Sequence, residues 1–401
     1  MAALTQVSGS VCAPRGYRAA GVTAGIKSSG LPDVALVVSD LPASAAGVFT
    51  TNRIVAAPVQ VSREHLQDGR ARAIVCNSGN ANCLTGAQGL ADARRMAALT
   101  AEALGIEPDE VLVASTGVIG NPLPMERVEA GIRVAARELI AEGSAAARAI
   151  MTTDTRPKEY AVEFLDGGCA ARVGGIAKGV GMIGPHLATM LAFLTTDVQV
   201  WPEVLQSTLR TVAEQSFNCV TVDGDTSTND SVFLLANGAS GLTVRPGSPA
   251  HRAFEAALTQ VCVHLAKELA RDGEGATKLI EVRVTGARSP AQARQAARTI
   301  ANSPLVKTAF FGNDPNWGRI VAAAGRSAAA LDPARLSLEI AGIPTVRDGE
   351  PVPFDRDAAR AALNHPEVSL TLDLGVGRAS ATVWTCDLTY EYVKINAEYT
   401  T

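Results

Sequence analysis

Short apolar runs alternate along the chain with longer stretches in which apolar residues return every three or four positions. Three runs rich in β-branched residues, at 34–38, 73–76 and 111–115, predict buried strands. Between the last two, residues 90–104 have helical periodicity, and Gly105 is expected to end that helix. The first part of the chain therefore predicts alternating strands and helices.

The same helical spacing continues beyond this region. It predicts three further helices, one around 128–139 that ends at Gly143, one around 204–212, and one over 254–269 that ends at Asp272. Ser289 followed by Pro290 predicts the start of another helix.

The last third of the chain is richer in strands, which are predicted at 279–284, 336–340, 368–374 and 379–386. Strands and helices in both halves indicate an α/β fold in which helices cover sheets. Periodicity alone leaves a four-layer sandwich and a doubly wound sheet both open. No linker, repeat or low-complexity tract marks a domain boundary in the 401 residues.

The composition of the chain argues against several classes of protein. A hydrophobic fraction of 47% with 19% charged residues indicates a packed globular chain rather than a disordered one. A formal net charge of −4 provides no basic field for nucleic acid or an anionic membrane. The longest apolar stretch, 180–194, is broken by Pro185 and His186 and is shorter than the roughly 20 residues that span a bilayer. The N-terminus does not have the pattern of a secretory signal.

Cysteine and histidine usage indicates a reducing compartment and no metal. The seven cysteines are scattered without CxxC spacing, and none of the five histidines forms a metal-ligand pair with another. We therefore expect reduced thiols, a cytoplasmic protein, and neither a metal nor another cofactor.

The most informative segment is 178–191, KGVGMIGPHLATML. Ala188 is a small residue placed directly before Thr189, after glycines that allow close approach of the backbone. This arrangement suits self-cleavage, in which the Thr189 hydroxyl attacks the preceding carbonyl and water resolves the ester. The new N-terminal threonine would then have an α-amine, with an ordinary pKa of about 7.7–8.0, beside its hydroxyl as a base.

Other segments in the same order match one family. They are 46–52 (AGVFTTN), 76–82 (CNSGNAN), 115–119 (STGVI), 151–158 (MTTDTRPK), 272–278 (DGEGATK), 311–319 (FGNDPNWGR) and 396–401 (NAEYTT). With the segment around Thr189, they resemble the ornithine acetyltransferase family of arginine biosynthesis over the whole length of the chain.

The resemblance selects the layered α-β-β-α sandwich and implies a self-processing precursor. Cleavage would give an α chain, 1–188, and a β chain, 189–401, that stay associated, as a heterotetramer of two each. The implied reaction is transfer of acetyl from N-acetylornithine to glutamate through acetyl-Thr189, without a cofactor. Acetyl-CoA is a second donor that some members of the family use.

The resemblance also implies site residues. Thr116 and Gly117 would hold the oxyanion, a role that a hydroxyl and an N–H at a strand end can fill. Substrate contacts are implied for Thr155, Lys178, Thr189, Glu274, Asn396 and Thr401. An ammonium suits the α-carboxylate that both substrates share, and a carboxylate suits the ornithine cation. Residues 77–82 are expected to support the site structurally.

Two other functions remain open from the residues themselves. Gly179 to Gly184 forms a GxGxxG pattern, which in a strand–turn–helix context binds dinucleotides in oxidoreductases, with Asp197 as an early acidic partner. A self-cleaving aminopeptidase of the related serine-nucleophile group is the other alternative, which the threonine at 189 disfavours.

Overall fold

The computed structural model describes residues 4–184 and 190–398. Its strands are β1 (Leu4–Gln6), β2 (Tyr17–Val22), β3 (Val34–Ser39), β4 (Ser44–Phe49), β5 (Ala73–Asn80), β6 (Val111–Val118), β7 (Lys158–Asp166), β8 (Cys169–Lys178), β9 (Leu191–Thr196), β10 (Gln199–Val200), β11 (Ser231–Ala236), β12 (Thr243–Val244), β13 (Leu279–Ala287), β14 (Ser337–Ile340), β15 (Ile343–Arg347), β16 (Glu350–Pro351), β17 (Glu367–Asp373) and β18 (Ala379–Cys386). Its α-helices are α1 (Ala57–His65), α2 (Gly86–Leu104), α3 (Met125–Arg137), α4 (Ser144–Ala149), α5 (Pro202–Gln215), α6 (Pro249–Arg271), α7 (Pro290–Ala301), α8 (Pro304–Phe311), α9 (Trp317–Gly325), α10 (Arg356–Leu363) and α11 (Tyr390–Glu398).

These strands form three larger sheets and one small pair. Sheet I has the order β2-β3-β5-β6, sheet II the order β1-β7-β8-β9-β11-β4, and sheet III the order β16-β15-β14-β17-β13-β18. Strands β10 and β12 pair separately. Sheets I and II are mixed, because β5 and β6 run parallel in one and β9 and β11 run parallel in the other.

Sheets I and II pack face to face between two layers of helices. Along β3, Val34, Leu36 and Val38 share a core with α1, α2 and α3, whereas Ala35 and Val37 point to sheet II. This is the period-2 alternation of a strand that is buried on both faces. The outer face of sheet II packs on α5 and α6. The layers are therefore helix, sheet, sheet and helix, as the resemblance implied.

Sheet III belongs to the C-terminal part of the chain and has its own core. One face is apolar and packs against α7, α8 and α9. Alternate residues of β17, such as Glu367 and Ser369, are exposed on the other face. This second core has no counterpart in the sequence analysis, which found no boundary.

Most predicted elements are confirmed. Gly105 caps α2 in the left-handed conformation, Asp272 follows α6, and the Ser289 side chain caps α7 by accepting the N–H of Gln292. The predicted end of the helix around 128–139 is wrong, since α3 stops at Arg137 and not at Gly143. The chain leaves the helix early because Ile140 pairs with Ala19 at the edge of sheet I.

The dinucleotide-binding alternative is wrong. Strand β8 does precede the glycines at 179–184, as the pattern requires, but strand β9 begins at Leu191. Strands β8 and β9 are antiparallel neighbours, whereas a dinucleotide-binding unit requires two parallel strands joined by a helix. Asp197 instead accepts the backbone N–H groups of Arg15 and Arg172.

The contact between the two sheets predicts a stability effect. Phe233 is fully buried there, stacked on Phe193 at 5.9 Å and edge-on to Phe49 at 5.8 Å between ring centroids. We expect Phe233→Ala to cost about 3–5 kcal/mol, because it removes a buried ring and leaves a cavity. Thermal unfolding followed by circular dichroism measures this, with exposed Leu165→Ala as the control. A Phe233→Ala protein that melts with the control would contradict this role of the aromatic cluster.

Candidate active site

The end of β6 presents Thr116 and Gly117. Gly117 has φ +132°, and a Cβ atom there would lie 2.3 Å from the carbonyl carbon of Gly79 on the neighbouring strand. Only glycine fits this close approach, which coincides with a register shift between β5 and β6. Ser115 is fixed by a 2.6 Å hydrogen bond from its hydroxyl to the Asn77 side chain. Asn77 and Gly79 thus contact the end of β6.

Lys178 comes from the end of β8 and is 2% exposed. Its Nζ donates to the Thr152 hydroxyl at 2.8 Å and to the Thr116 hydroxyl at 3.3 Å. The Thr116 oxygen accepts here, so its own hydrogen can be donated to a ligand. Burial lowers the pKa of Lys178, and the nearby Asp154 carboxylate opposes that change.

Asp154 balances the buried cations around the site. Its Oδ1 accepts from Lys158 Nζ and from the Gly179 N–H, both at 2.7 Å, and its Oδ2 lies 3.9 Å from Lys178 Nζ. Burial alone would raise the pKa of Asp154, but Lys178, Lys158 and these hydrogen bonds hold it well below its ordinary value. Lys158 also contacts Asp272 at 2.6 Å. Two lysines and two carboxylates therefore compensate one another.

Glu274 follows α6 and is held by two neutral donors. The Thr153 hydroxyl and the Asn396 amide, the latter from α11, each donate to one carboxylate oxygen at 2.9 Å. Gly181 packs so closely that a Cβ there would lie 2.6 Å from Glu274 Oε2. Because both partners are neutral, the carboxylate charge remains available to a cationic ligand.

Several of these side chains line one cavity. Its lining residues are Ala81, Thr116, Gly117, Ile119, Thr152, Thr153, Lys178, Val180, Gly181, Met182, Ser227, Thr228, Asn229, Glu274 and Asn396. Its volume, traced by the centre of a water-sized sphere, is about 120 Å³. One water needs about 10–15 Å³ on this measure, so a molecule of amino-acid size fits.

Five predicted site residues line this cavity: Thr116, Gly117, Lys178, Glu274 and Asn396. Thr155 does not line it. Thr155 is exposed, and its hydroxyl and N–H both donate to Asp272. The substrate contact of Thr155 therefore stays a prediction, whereas its neighbours Thr152 and Thr153 do face the cavity.

The remaining predicted residues, Ala188, Thr189 and Thr401, lie outside the described residues. The described residues that flank the first two are held together, because Lys178 and Leu191 are directly paired on β8 and β9. The interval 179–190 therefore leaves and rejoins sheet II at one point beside the cavity. Met190, the residue after Thr189, donates its N–H to Asp230 at 3.1 Å.

Sequence reasoning missed the segment 226–230, TSTND, which supplies three lining residues. Its signal was a run of polar residues directly before the apolar strand β11. Such a run is typical of any surface loop, yet Ser227, Asn229 and Asp230 are buried. Within the parts of the chain that the structure describes, no cluster of His, Cys, Asp and Glu could hold a metal, and no helix is long and apolar enough to cross a membrane.

Comparison with known proteins places the chain in a family. The ArgJ family model matches residues 18–401. The arginine biosynthesis bifunctional protein of Symbiobacterium thermophilum is 55% identical over 399 residues, 98% of this chain and 99% of that one. The protein of the same name from Thermus thermophilus is 51% identical over 389 residues, 97% of this chain and 99% of the relative.

A solved structure is also similar. A crystal structure of the arginine biosynthesis bifunctional protein from Bacillus halodurans shares 43% identity, with a TM-score of 0.50. The match covers 98% of that chain but 52% of the present one, so the solved chain is about half as long. With a family model that spans nearly the whole sequence and relatives matched end to end, the chain belongs to the ArgJ family.

Proposed function

We propose that this chain cleaves itself between Ala188 and Thr189 and then transfers acetyl from N-acetylornithine to glutamate through Thr189. The chain is an acetyltransferase of arginine biosynthesis, as its family membership implies. The observation that carries the detailed reaction is that Thr116, Gly117, Lys178 and Glu274 line the same cavity. These residues come from separate parts of the sequence, and Met190 is anchored beside them.

Self-cleavage is supported by how the chain enters and leaves the interval 179–190. The paired Lys178 and Leu191 fix both ends, and Glu274 accommodates Gly181. The half-length chain of the Bacillus halodurans relative also fits a precursor cut near its middle: 52% of 401 residues is about 209, close to the 213 residues of a fragment 189–401.

The two fragments would stay together because sheet II contains strands of both. Strand β8 pairs with β9, and β4 pairs with β11, so each side of the proposed cut contributes to one hydrogen-bonded sheet. We further propose that two such pairs form a heterotetramer. The seven cysteines are all unpaired, which supports a reducing compartment such as the cytoplasm.

Acetyl transfer would begin with the Thr189 hydroxyl attacking the acetyl carbonyl of N-acetylornithine, while the Thr189 α-amine takes the proton. The oxyanion receives hydrogen bonds from the Thr116 hydroxyl and the Gly117 N–H. When the tetrahedral intermediate collapses, the proton passes to the leaving amine of ornithine, and acetyl stays on Thr189 as an ester.

Glutamate would then enter, and its amine would attack the ester through a second tetrahedral intermediate in the same oxyanion hole. Lys178 Nζ has three hydrogens, two of which go to Thr152 and Thr116, so one remains for the α-carboxylate that both substrates carry. Glu274 faces the ornithine side-chain ammonium, with Asn396 beside it. Thr155 and Thr401 complete the proposed substrate contacts. Acetyl-CoA as a second donor to Thr189 would fit the word bifunctional in the relatives' names.

The cleavage proposal predicts fragments of 188 and 213 residues, the second beginning Thr-Met-Leu. Thr189→Ser should still be cut because it keeps a hydroxyl, whereas Thr189→Ala should remain one inactive chain. Denaturing gels and N-terminal sequencing measure both. A wild-type protein without a Thr189 terminus would contradict self-cleavage at this bond.

The oxyanion proposal predicts that Thr116→Ala lowers kcat on the order of 100-fold with a modest change in KM, because a donor to the transition state is lost. The measurement is steady-state kinetics on fully processed enzyme. The control is Thr100→Ala, which removes another buried hydroxyl, one bonded to Met96 within α2 and away from the cavity. An unchanged kcat in Thr116→Ala would show that Thr116 does not donate to the oxyanion and has a structural role only.

Substitutions of the two charged side chains, Glu274 and Lys178, should affect the two half-reactions differently. Glu274→Gln keeps shape but removes charge, so it should weaken the ornithine half-reaction by about 1.5–3 kcal/mol and spare the glutamate half-reaction. Lys178→Met should impair both, since the α-carboxylate is common to both substrates.

Each half-reaction is measured separately on processed enzyme. The matched control is Glu268→Gln, which removes a carboxylate that pairs with Arg156 and Arg271 on the surface of α6. Equal losses for both half-reactions in Glu274→Gln would show that Glu274 does not recognise the ornithine side chain.

A further inference from the structure

Asn229 and Asp230 come directly before β11, and the proposed reaction gives them no role. Both are buried, at 5% and 1% exposure. Buried polar side chains cost free energy unless their hydrogen bonds are made, so the partners of these two residues show what they hold.

The Asn229 amide binds the strand end that carries the oxyanion donors. Its Nδ2 donates to the carbonyl of Ala81 at 2.6 Å and to the carbonyl of Ser115 at 2.8 Å. Two carbonyls require two donors, which fixes the orientation of the amide. The Ser115 carbonyl belongs to the peptide bond between Ser115 and Thr116. The Ala81 N–H donates to the carbonyl of Val118, which follows Gly117. Asn229 therefore fixes the backbone on both sides of the oxyanion donors.

The Asp230 carboxyl group binds the backbone next to the proposed nucleophile. Its Oδ1 accepts the N–H of Met190 at 3.1 Å, and that N–H belongs to the peptide bond that joins Met190 to Thr189. Its Oδ2 is buried as well. Burial raises the pKa of Asp230 well above its ordinary value, and the hydrogen bond from the Met190 N–H opposes that change.

We infer that Asn229 and Asp230 are positioning residues that together set the distance between the oxyanion donors Thr116 and Gly117 and the nucleophile Thr189. The inference rests on the proposed function, since it takes Thr189 as the nucleophile. The two residues are adjacent, so their Cα atoms lie about 3.8 Å apart. One dipeptide thus joins a strand end of sheet I to the peptide after Thr189 in sheet II. A displacement of about 1 Å between reacting groups can lower a rate on the order of 100-fold.

The test compares processed wild type, Asn229→Ala, Asp230→Ala and Asp230→Asn. The first two variants should lower kcat about 10- to 100-fold, equally in both half-reactions, and leave KM within about threefold, because the oxyanion hole and nucleophile serve both substrates. Asp230→Asn keeps an oxygen acceptor for the Met190 N–H and should recover most of the activity. The double variant should lose little more than the worse single variant, because the two residues act as one unit.

Asn237→Ala is the matched control. Asn237 is a similarly buried asparagine just beyond the other end of β11, bonded to the carbonyl of Arg15 and remote from the cavity. It should lower the melting temperature without lowering kcat.

The inference is overturned by an unchanged kcat in Asn229→Ala, by losses confined to KM or to one half-reaction, or by an Asp230→Asn variant as damaged as Asp230→Ala. If Asp230→Ala does not fold, Asn229→Ala and Asp230→Asn decide the question. Absence of acetyl transfer in processed wild type would instead reject the proposed function, so the two failures are distinguishable.

Discussion

The pairing of β8 with β9 is the constraint on which the site depends. Lys178 and Leu191 lie directly opposite each other in this antiparallel pair, so the interval between them must leave and return at one point of sheet II. Lys178 therefore faces the cavity from one strand while the segment after Thr189 enters the other. Because β9 lies between β8 and β11, a cut at Ala188 would leave the ladder intact. Sheet II thus contains strands from both sides of the proposed cut.

A cluster of buried charges also holds the end of β8 in place. Two lysines and two carboxylates are buried together here: Lys158, Lys178, Asp154 and Asp272. Burying such charges costs free energy unless opposite charges pair with one another. Asp154 also accepts the Gly179 N–H, which ties the start of the glycine-rich interval to this cluster. The cluster therefore orients Lys178 while leaving its ammonium in contact with the hydroxyls of Thr116 and Thr152.

The sequence predicts many of the elements because their helices and strands follow local periodicity. Strand β18 matches its predicted range, and α2 and α6 end where predicted. The end of α3 could not be predicted, because pairing of Ile140 with a distant strand edge overrides helical spacing. The glycines at 179–184 formed a misleading pattern for a similar reason, since β8 and β9 pair in antiparallel orientation and not as the parallel strands of a dinucleotide-binding unit.

For the site, resemblance indicated Thr116, Gly117, Lys178, Glu274 and Asn396, and the fold brings them to one cavity. Asn229 was not predicted, because its hydrogen-bond partners Ala81 and Ser115 lie more than a hundred residues earlier in the chain. A polar run before a strand is typical of a solvated loop, and only the packing of two sheets buries this one.

The central claim is that one residue, Thr189, receives the acetyl group from one amine and passes it to another. The most direct test is intact mass spectrometry of processed enzyme supplied with N-acetylornithine and no glutamate. Our account predicts that the fragment beginning at Thr189 gains one acetyl group, and that added glutamate removes it. A fragment that is never acetylated, together with sequential kinetics, would contradict the covalent mechanism.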